Sequence, residues 1–333
     1  MKSKIIIGFL FIAASCFAQS QYSEISSKPG AFSRMGFGAR GKGMANSMSA
    51  VINGNLVSYY NPALSVFQEG NSFQTSYSFL SLDRSLNFLN FTRRFELGKK
   101  NPDGSMREKP RSVAGVSIGL INSSVGDFKE RDNQGLVVGD LEPFENQIFL
   151  GLAIRFSEKL AIGFNSKFFY SKLYDEVTTT SLGFDLGALY RFSELLAVSF
   201  VLTDINSKYK WDSTTLYGQE GTNEPESFPL LMKIGASYYF ENEKLLTSIE
   251  FESSNADTKF LRIGAEYNIF ESLYLRAGVD RFNLSNTDYP LRPALGFSYN
   301  HDFNSLIAGI DYAFVLEPYS ASDQHIIGIN INF

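Results

Sequence analysis

Two stretches of the chain carry glycine spacings that enzymes use. Gly36-Phe37-Gly38-Ala39-Arg40-Gly41 spells the Gly-x-Gly-x-x-Gly of a dinucleotide loop, which needs a strand before it, a helix after it and an acid about 20 residues on. The next acid is Glu69, and Asn61-Pro62 interrupts the approach, so these glycines are expected to serve tightly turned backbone. Gly115-Val116-Ser117-Ile118-Gly119 spells a hydrolase nucleophile elbow, which works only at a sharp strand-to-helix turn. Here Gly115, Ser117 and Gly119 alternate with Val116, Ile118 and Leu120, the pattern of an ordinary strand. The only histidines, His301 and His325, fall near strand ends without an evident orienting partner. Asp127, Glu130, Asp132, Asp140 and Glu142 share one long loop and have the ligand chemistry for calcium, but a solvated loop surface is the better account of them. No catalytic residue, cofactor site or metal site is expected, and the chain does not read as an enzyme.

The elements around these motifs are strands. In Gln147 to Tyr170, Ile148, Leu150, Leu152, Ile154 and Phe156 alternate with Phe149, Gly151, Ala153 and Arg155. After Ser157 and Glu158 the pattern restarts with Leu160, Ile162 and Phe164. Strand side chains change face with period two, so one face is apolar and the other is small or charged. Similar units recur at 190–200, 238–251, 267–279 and 299–312, as expected of an up-and-down antiparallel sheet. Strands are predicted near 72–80, 85–97, 111–121, 146–156, 159–171, 178–192, 195–204, 229–240, 244–253, 258–269, 272–281, 292–300, 304–314 and 324–333. That number is fourteen, and it is even.

Short links near Ser157, Ser193, Asn242, Glu271 and Asp302 alternate with longer ones at 122–145, 205–228, 282–291 and 315–323. Outer-membrane barrels have short periplasmic turns and long external loops. The long link 98–110 is the exception, since it falls on the periplasmic side. One parity carries Leu182, Leu186, Phe200, Ile310 and Phe314, and the other carries Lys167, Asp185, Lys233, Glu250, Arg262, Glu266, Arg276, Asp280 and Asp311. This predicts lipid outside and a polar interior in which charges of both signs pair with one another and with Arg34, Arg40 and Lys42. Arg93 shares parity with Leu89 and Phe91, which places it at a membrane interface. A soluble β-sandwich also alternates. The loop asymmetry and the final alternation Ile327, Ile329, Ile331, Phe333, ending on an aromatic, favour the barrel.

Aromatic residues make up 15% of the chain at a mean hydropathy of -0.10, which suits a sheet with one greasy and one wet face. Lys2 and Lys4, the apolar run Ile5 to Ala14 and small residues up to Ala18 read as a secretory signal peptide, 1–18, cut before Gln19. Cleavage there removes Cys16, the sole cysteine, and takes the basic residues from 30 to 28 against 35 acids. With a net charge of 28 - 35 = -7 and no basic stripe, nucleic acid is excluded as a partner.

Residues 19–70 do not alternate and are expected to form a compact hatch ahead of a barrel spanning 71–333. Within them, Gly38-Ala39-Arg40, Gly43-Met44 and Asn61-Pro62-Ala63 resemble the N-terminal signature of the PorV/PorQ family, part of the wider FadL-like group of fourteen-stranded outer-membrane barrels. The resemblance implies an all-β, fourteen-stranded antiparallel transmembrane barrel in the outer membrane with the N-terminal segment folded inward. It also implies a non-enzymatic accessory or scaffold linked to type IX secretion, whose partners are outer-membrane lipid and secretion-system proteins or cargo. The alternative is a FadL-like carrier of hydrophobic small molecules such as fatty acids. That reading needs a dry pocket between hatch and wall, for which Phe32, Met35, Phe37, Met44, Met48 and Leu56 are the candidate lining.

Overall fold

The computed structural model describes residues 23–98, 105, 110–174, 177–221 and 223–333, so the expected leader and most of the 98–110 link lie outside the described residues. Fourteen antiparallel strands close into a barrel. The first strand, Asn71–Phe79, pairs on one side with Arg84–Leu97 and on the other with the last strand, Gln324–Asn332. The seam is finished by backbone bonds between Asn71 and Phe333, at 2.8 and 3.0 Å. Closure matters because a strand edge exposed to hydrocarbon would leave its amides without partners.

Alternation sorts side chains as the sequence predicts. On strand Phe144–Arg155, Ile148, Leu150 and Leu152 face outward while Gln147, Phe149 and Ala153 are buried within. Phe149 is thus a large apolar residue on the inner face, and it has a partner there, as described below. Arg93 pairs with Asn71, the first residue of the first strand, and its guanidinium lies 4.9 Å from the Phe95 ring centre. It therefore sits at the rim, where a charge on the outer face reaches water.

The strand read as 111–121 runs on to Val125, and the one read as 159–171 runs on to Tyr174. Two of the long loops contain small sheets of their own. Phe128–Arg131 pairs with Val137–Leu141, and Lys208–Lys210 pairs with Pro225–Ser227. Both are too short to register as a periodic pattern. The short turns at 156–159, 192–195, 241–244, 271–272 and 303–306 all lie at one end. Leu97 and Ser112, which flank the 98–110 link, pair with each other at that same end.

Before Asn71, the described chain holds only short helical turns, at Glu24–Ser27, Ala31–Arg34, Gly38–Gly43 and Pro62–Phe67. Gly36 and Gly38 have φ of 96° and 69°, a left-handed backbone that glycine adopts without strain, and this is what the Gly-x-Gly spacing serves. Asn61 caps the last turn by accepting from the Ala63 amide at 2.9 Å, with Pro62 at the first helical position where no amide is needed. The main core lies inside the barrel. Phe37, Met44, Leu56 and Leu64 of this segment pack with the inward-facing Phe88, Phe149, Phe169 and Leu189 of the wall.

Candidate functional site

The N-terminal segment meets the wall in two different ways. Toward strands Ser112–Val125, Phe144–Arg155, Leu160–Tyr174 and Val177–Arg191, the turn Pro62–Phe67 lies directly on inner-face glycines. A β-carbon at Gly163 would stand 2.3 Å from the Pro62 carbonyl carbon, and one at Gly115 2.4 Å from that of Ser65. Side chains are absent where backbone must approach backbone. Ser117, the centre of the elbow-like motif, is fully buried on this face, within 2.9 Å of Thr92 Oγ1 and donating to Asn90 Oδ1 at 2.8 Å. His301 and His325 are exposed, and His325 Nδ1 lies 2.8 Å from the Tyr312 hydroxyl, so neither serves Ser117.

The helix Gly38–Gly43 lies against strands Arg292–Asp302, Ile307–Val315 and Gln324–Asn332, where Ala39 packs with Ala294, Ala313 and Ile326, and its Arg40 reaches a charged wall on Lys259–Phe270 and Leu273–Asn283. Arg40 grips Glu266 with two bonds, Nε to Oε2 at 2.9 Å and Nη2 to Oε1 at 2.8 Å, and a third reaches the Asn55 carbonyl at 3.0 Å. Glu266 also accepts from Arg276 Nε at 2.6 Å. Farther up, Arg262 binds Asp280 at 2.7 Å and Glu252 at 3.0 Å. Strand register creates these pairs, placing Glu250 opposite Arg262, Glu266 opposite Arg276 and Asp280 opposite Arg292. Elsewhere Lys167 sits 2.7 Å from Asp185 and 3.0 Å from Asp204. Of the three N-terminal cations expected to join this network, Arg40 does so. Lys42 instead donates to the Met35 carbonyl at 2.6 Å, and Arg34 to the Pro29 carbonyl at 2.6 Å.

Cavities lie at both ends of the barrel interior. At the long-loop end, a partly open cavity of about 260 Å³ is lined by Met35, Leu80, Arg84, Arg281, Arg292, Glu317, Tyr319 and Gln324 with neighbouring serines. Arg292 is ion-paired with Glu317 yet keeps a buried Nε without a partner, and Arg84 binds only Ser81, at 3.0 Å to its carbonyl. Three guanidiniums and the Glu317 carboxylate thus line it beside apolar Met35 and Leu80, with Arg281 and Arg292 each also 3.9 Å from Asp280. At the short-turn end, a larger cavity of about 700 Å³ lies between wall and N-terminal segment, and its lining is mostly polar.

Of the six candidate lining residues, Phe32, Phe37, Met44, Met48 and Leu56 are buried in the core, and only Met35 lines a described cavity. Phe37 stacks on Tyr59 at 4.8 Å and meets Phe149 edge-on at 5.9 Å, which is the use of that inward phenylalanine. Each signature residue has a local task. Gly38, Ala39 and Arg40 form the anchored helix, a β-carbon on Gly43 would stand 3.4 Å from the Gly296 Cα, Met44 is fully buried, and Asn61, Pro62 and Ala63 make the cap over Gly163 and Gly187. The acids Asp127 and Asp140 flank Lys129, and Glu130 accepts from the Tyr174 hydroxyl. Sequence reading did not single out Arg84, Arg281 and Arg292, because they stand at strand ends far apart in the chain.

A closed fourteen-stranded wall around an inward-folded segment is the fold of FadL-like outer-membrane barrels. Superposition on the Pseudomonas putida toluene transporter TodX gives a TM-score of 0.56 at 13% identity, covering 89% of this chain and 96% of that one. The CymD monoaromatic hydrocarbon channel gives 0.56 at 15% identity over 90% and 98%, and a Pseudomonas aeruginosa FadL homologue 0.54 at 11% over 89% and 98%. No family model and no curated protein matches the chain. At these identities the likeness is one of fold, to outer-membrane transport proteins. The narrower PorV/PorQ assignment finds no support in these matches.

Proposed function

We propose that this protein admits small hydrophobic molecules through the outer membrane, the second of the two functions raised by the sequence. The observation that carries this reading is the 260 Å³ cavity at the long-loop end, where Met35 and Leu80 adjoin the guanidiniums of Arg84, Arg281 and Arg292. Such a cavity suits a molecule with an apolar body, and one bearing an acid group best. An apolar groove of about 510 Å³ lies on the lipid side of the same first hairpin, among Tyr77, Phe79, Leu89 and Leu120. A molecule held beside Leu80 thus has hydrocarbon near it without crossing the charged interior. In this proposal residues 1–18 are the leader, 19–70 a permanent plug and 71–333 the barrel.

Native mass spectrometry with lipid extraction tests it. The purified protein is expected to carry a bound hydrophobic molecule that is lost on Met35→Asp. An empty protein before and after that substitution contradicts the reading.

The accessory role in protein export has one observation in its favour. The hairpin at the long-loop end exposes Phe128, Leu136, Val137 and Val138, each more than half accessible. Copurification of secretion proteins, abolished by charging Val137 and Val138, would support that role over transport.

A further inference from the structure

We propose that the short-turn end of the barrel holds a binding site for a neutral polyhydroxylated molecule of about disaccharide size. The cavity there measures about 700 Å³, within the range of small-molecule sites. Its floor is the plug, at Ile52–Asn55 and Phe67–Glu69, and its sides are the inner faces of the strands from Leu231–Phe240 round to Asn71–Phe79.

Eight of the lining residues are asparagine or glutamine, a group that both donates and accepts, as a hydroxyl does. Tyr239 and Tyr274 add aromatic rings to the lining. The buried charges in the lining are already committed to each other, and Glu69, Glu241 and Lys244 stand exposed at the rim. Arg40 and Arg276 share Glu266, and Arg276 also reaches Asp311 at 3.5 Å. A charged ligand would have to break these pairs, and a hydrocarbon would strip the amides of water without replacing their hydrogen bonds.

The wall is shaped around these amides. Register sets Asn300, Gly309 and Asn330 side by side on three strands. A β-carbon on Gly309 would lie 1.9 Å from Asn300 Oδ1 and 2.7 Å from Asn330 Nδ2, so the glycine makes the space the two amides occupy. The amide oxygens of Asn300, Asn330 and Asn332 are buried, and the protein offers them no donor. Amide rotation toward the cavity would let ligand hydroxyls supply it.

This site is independent of the transport reading, since it lies at the opposite end of the plug. Saturation-transfer NMR on the full chain in an amine-oxide detergent, with maltose, cellobiose and sucrose as probes, is the test. Binding by at least one probe is expected with a Kd on the order of millimolar, and Asn300→Leu should weaken it about tenfold. Met35→Asp, at the other cavity, should leave it unchanged. Because Asn300→Leu could disturb the wall, a second measurement uses Lys244→Cys on the exposed rim, where a bulky maleimide should block the probe without altering the fold. No transfer from any of the three sugars, or transfer indifferent to both changes, would mean that the cavity holds water only and would overturn the proposal.

Discussion

Glycines admit the plug on both sides, Gly264 beneath the Met44 carbonyl as well as Gly163 beneath Pro62, but only one side adds a dense set of ions. Against Gly115 and Gly163 the contact is backbone on backbone, against Gly187 it is the Asn61 amide and the Pro62 ring, and the strength lies in fit. Against Glu266, Arg262 and Arg276 it is a network of buried ions whose strength depends on every member being present. Removing one partner from such a pair costs far more than the pair contributes, because the other charge stays buried. The ionic side should therefore be the more fragile to a single change, and the side of Gly115 and Gly163 the more fragile to added volume.

The largest effect is expected from Glu266→Gln, which leaves Arg40 and Arg276 without their shared carboxylate. A loss of about 3–5 kcal/mol is expected, read as a lower unfolding temperature of the purified barrel. Gly163→Val follows. Its side chain would enter the Pro62–Ala63 backbone, for a cost of about 1–3 kcal/mol and loss of protease protection in the plug. Near-native protection in Gly163→Val would show that the plug has slack on that side, and would dissolve the contrast drawn here.

A pH effect of intermediate size is expected from Lys42, on the plug's helix and without a carboxylate in contact. Burial, aided by the neighbouring Arg292, lowers its pKa from 10.5 to about 7. Between those values the unfolded chain binds the extra proton, so stability should rise with pH there, and the full penalty is present below 7. The gain is about 1.4 kcal/mol across roughly two units centred on 7, measured as hydrogen-exchange protection of the plug. Lys42→Met should flatten that dependence, and a slope that survives the substitution would assign it elsewhere. The smallest effect, about 1 kcal/mol, belongs to Asn61→Ala, which removes the cap on the Pro62–Phe67 turn.

The wall was legible because lipid on one side and water or plug on the other force strict alternation, and every predicted strand has a counterpart. Phe149 broke the inner-face pattern for a reason no single strand contains, since its partner Phe37 is 112 positions away. The charge pairs were expected in kind but not in identity, because Glu266 meets Arg276 only once the register is fixed. The plug's signature residues were found but over-interpreted. Arg40, Asn61 and Ala63 are anchors to the wall, and anchors of that type report how a plug docks rather than what passes it or binds beyond it.

In the proposed function, a plugged barrel admits hydrophobic molecules at its long-loop end while closing its bore to water-soluble ones. Proteoliposomes containing the purified protein test it directly, with radiolabelled toluene or oleate and radiolabelled glucose presented together. Accelerated entry of a hydrophobic solute into the bilayer, with glucose held at the rate of protein-free vesicles, is the predicted result. Rapid glucose entry, or no acceleration of either hydrophobic solute, would contradict it.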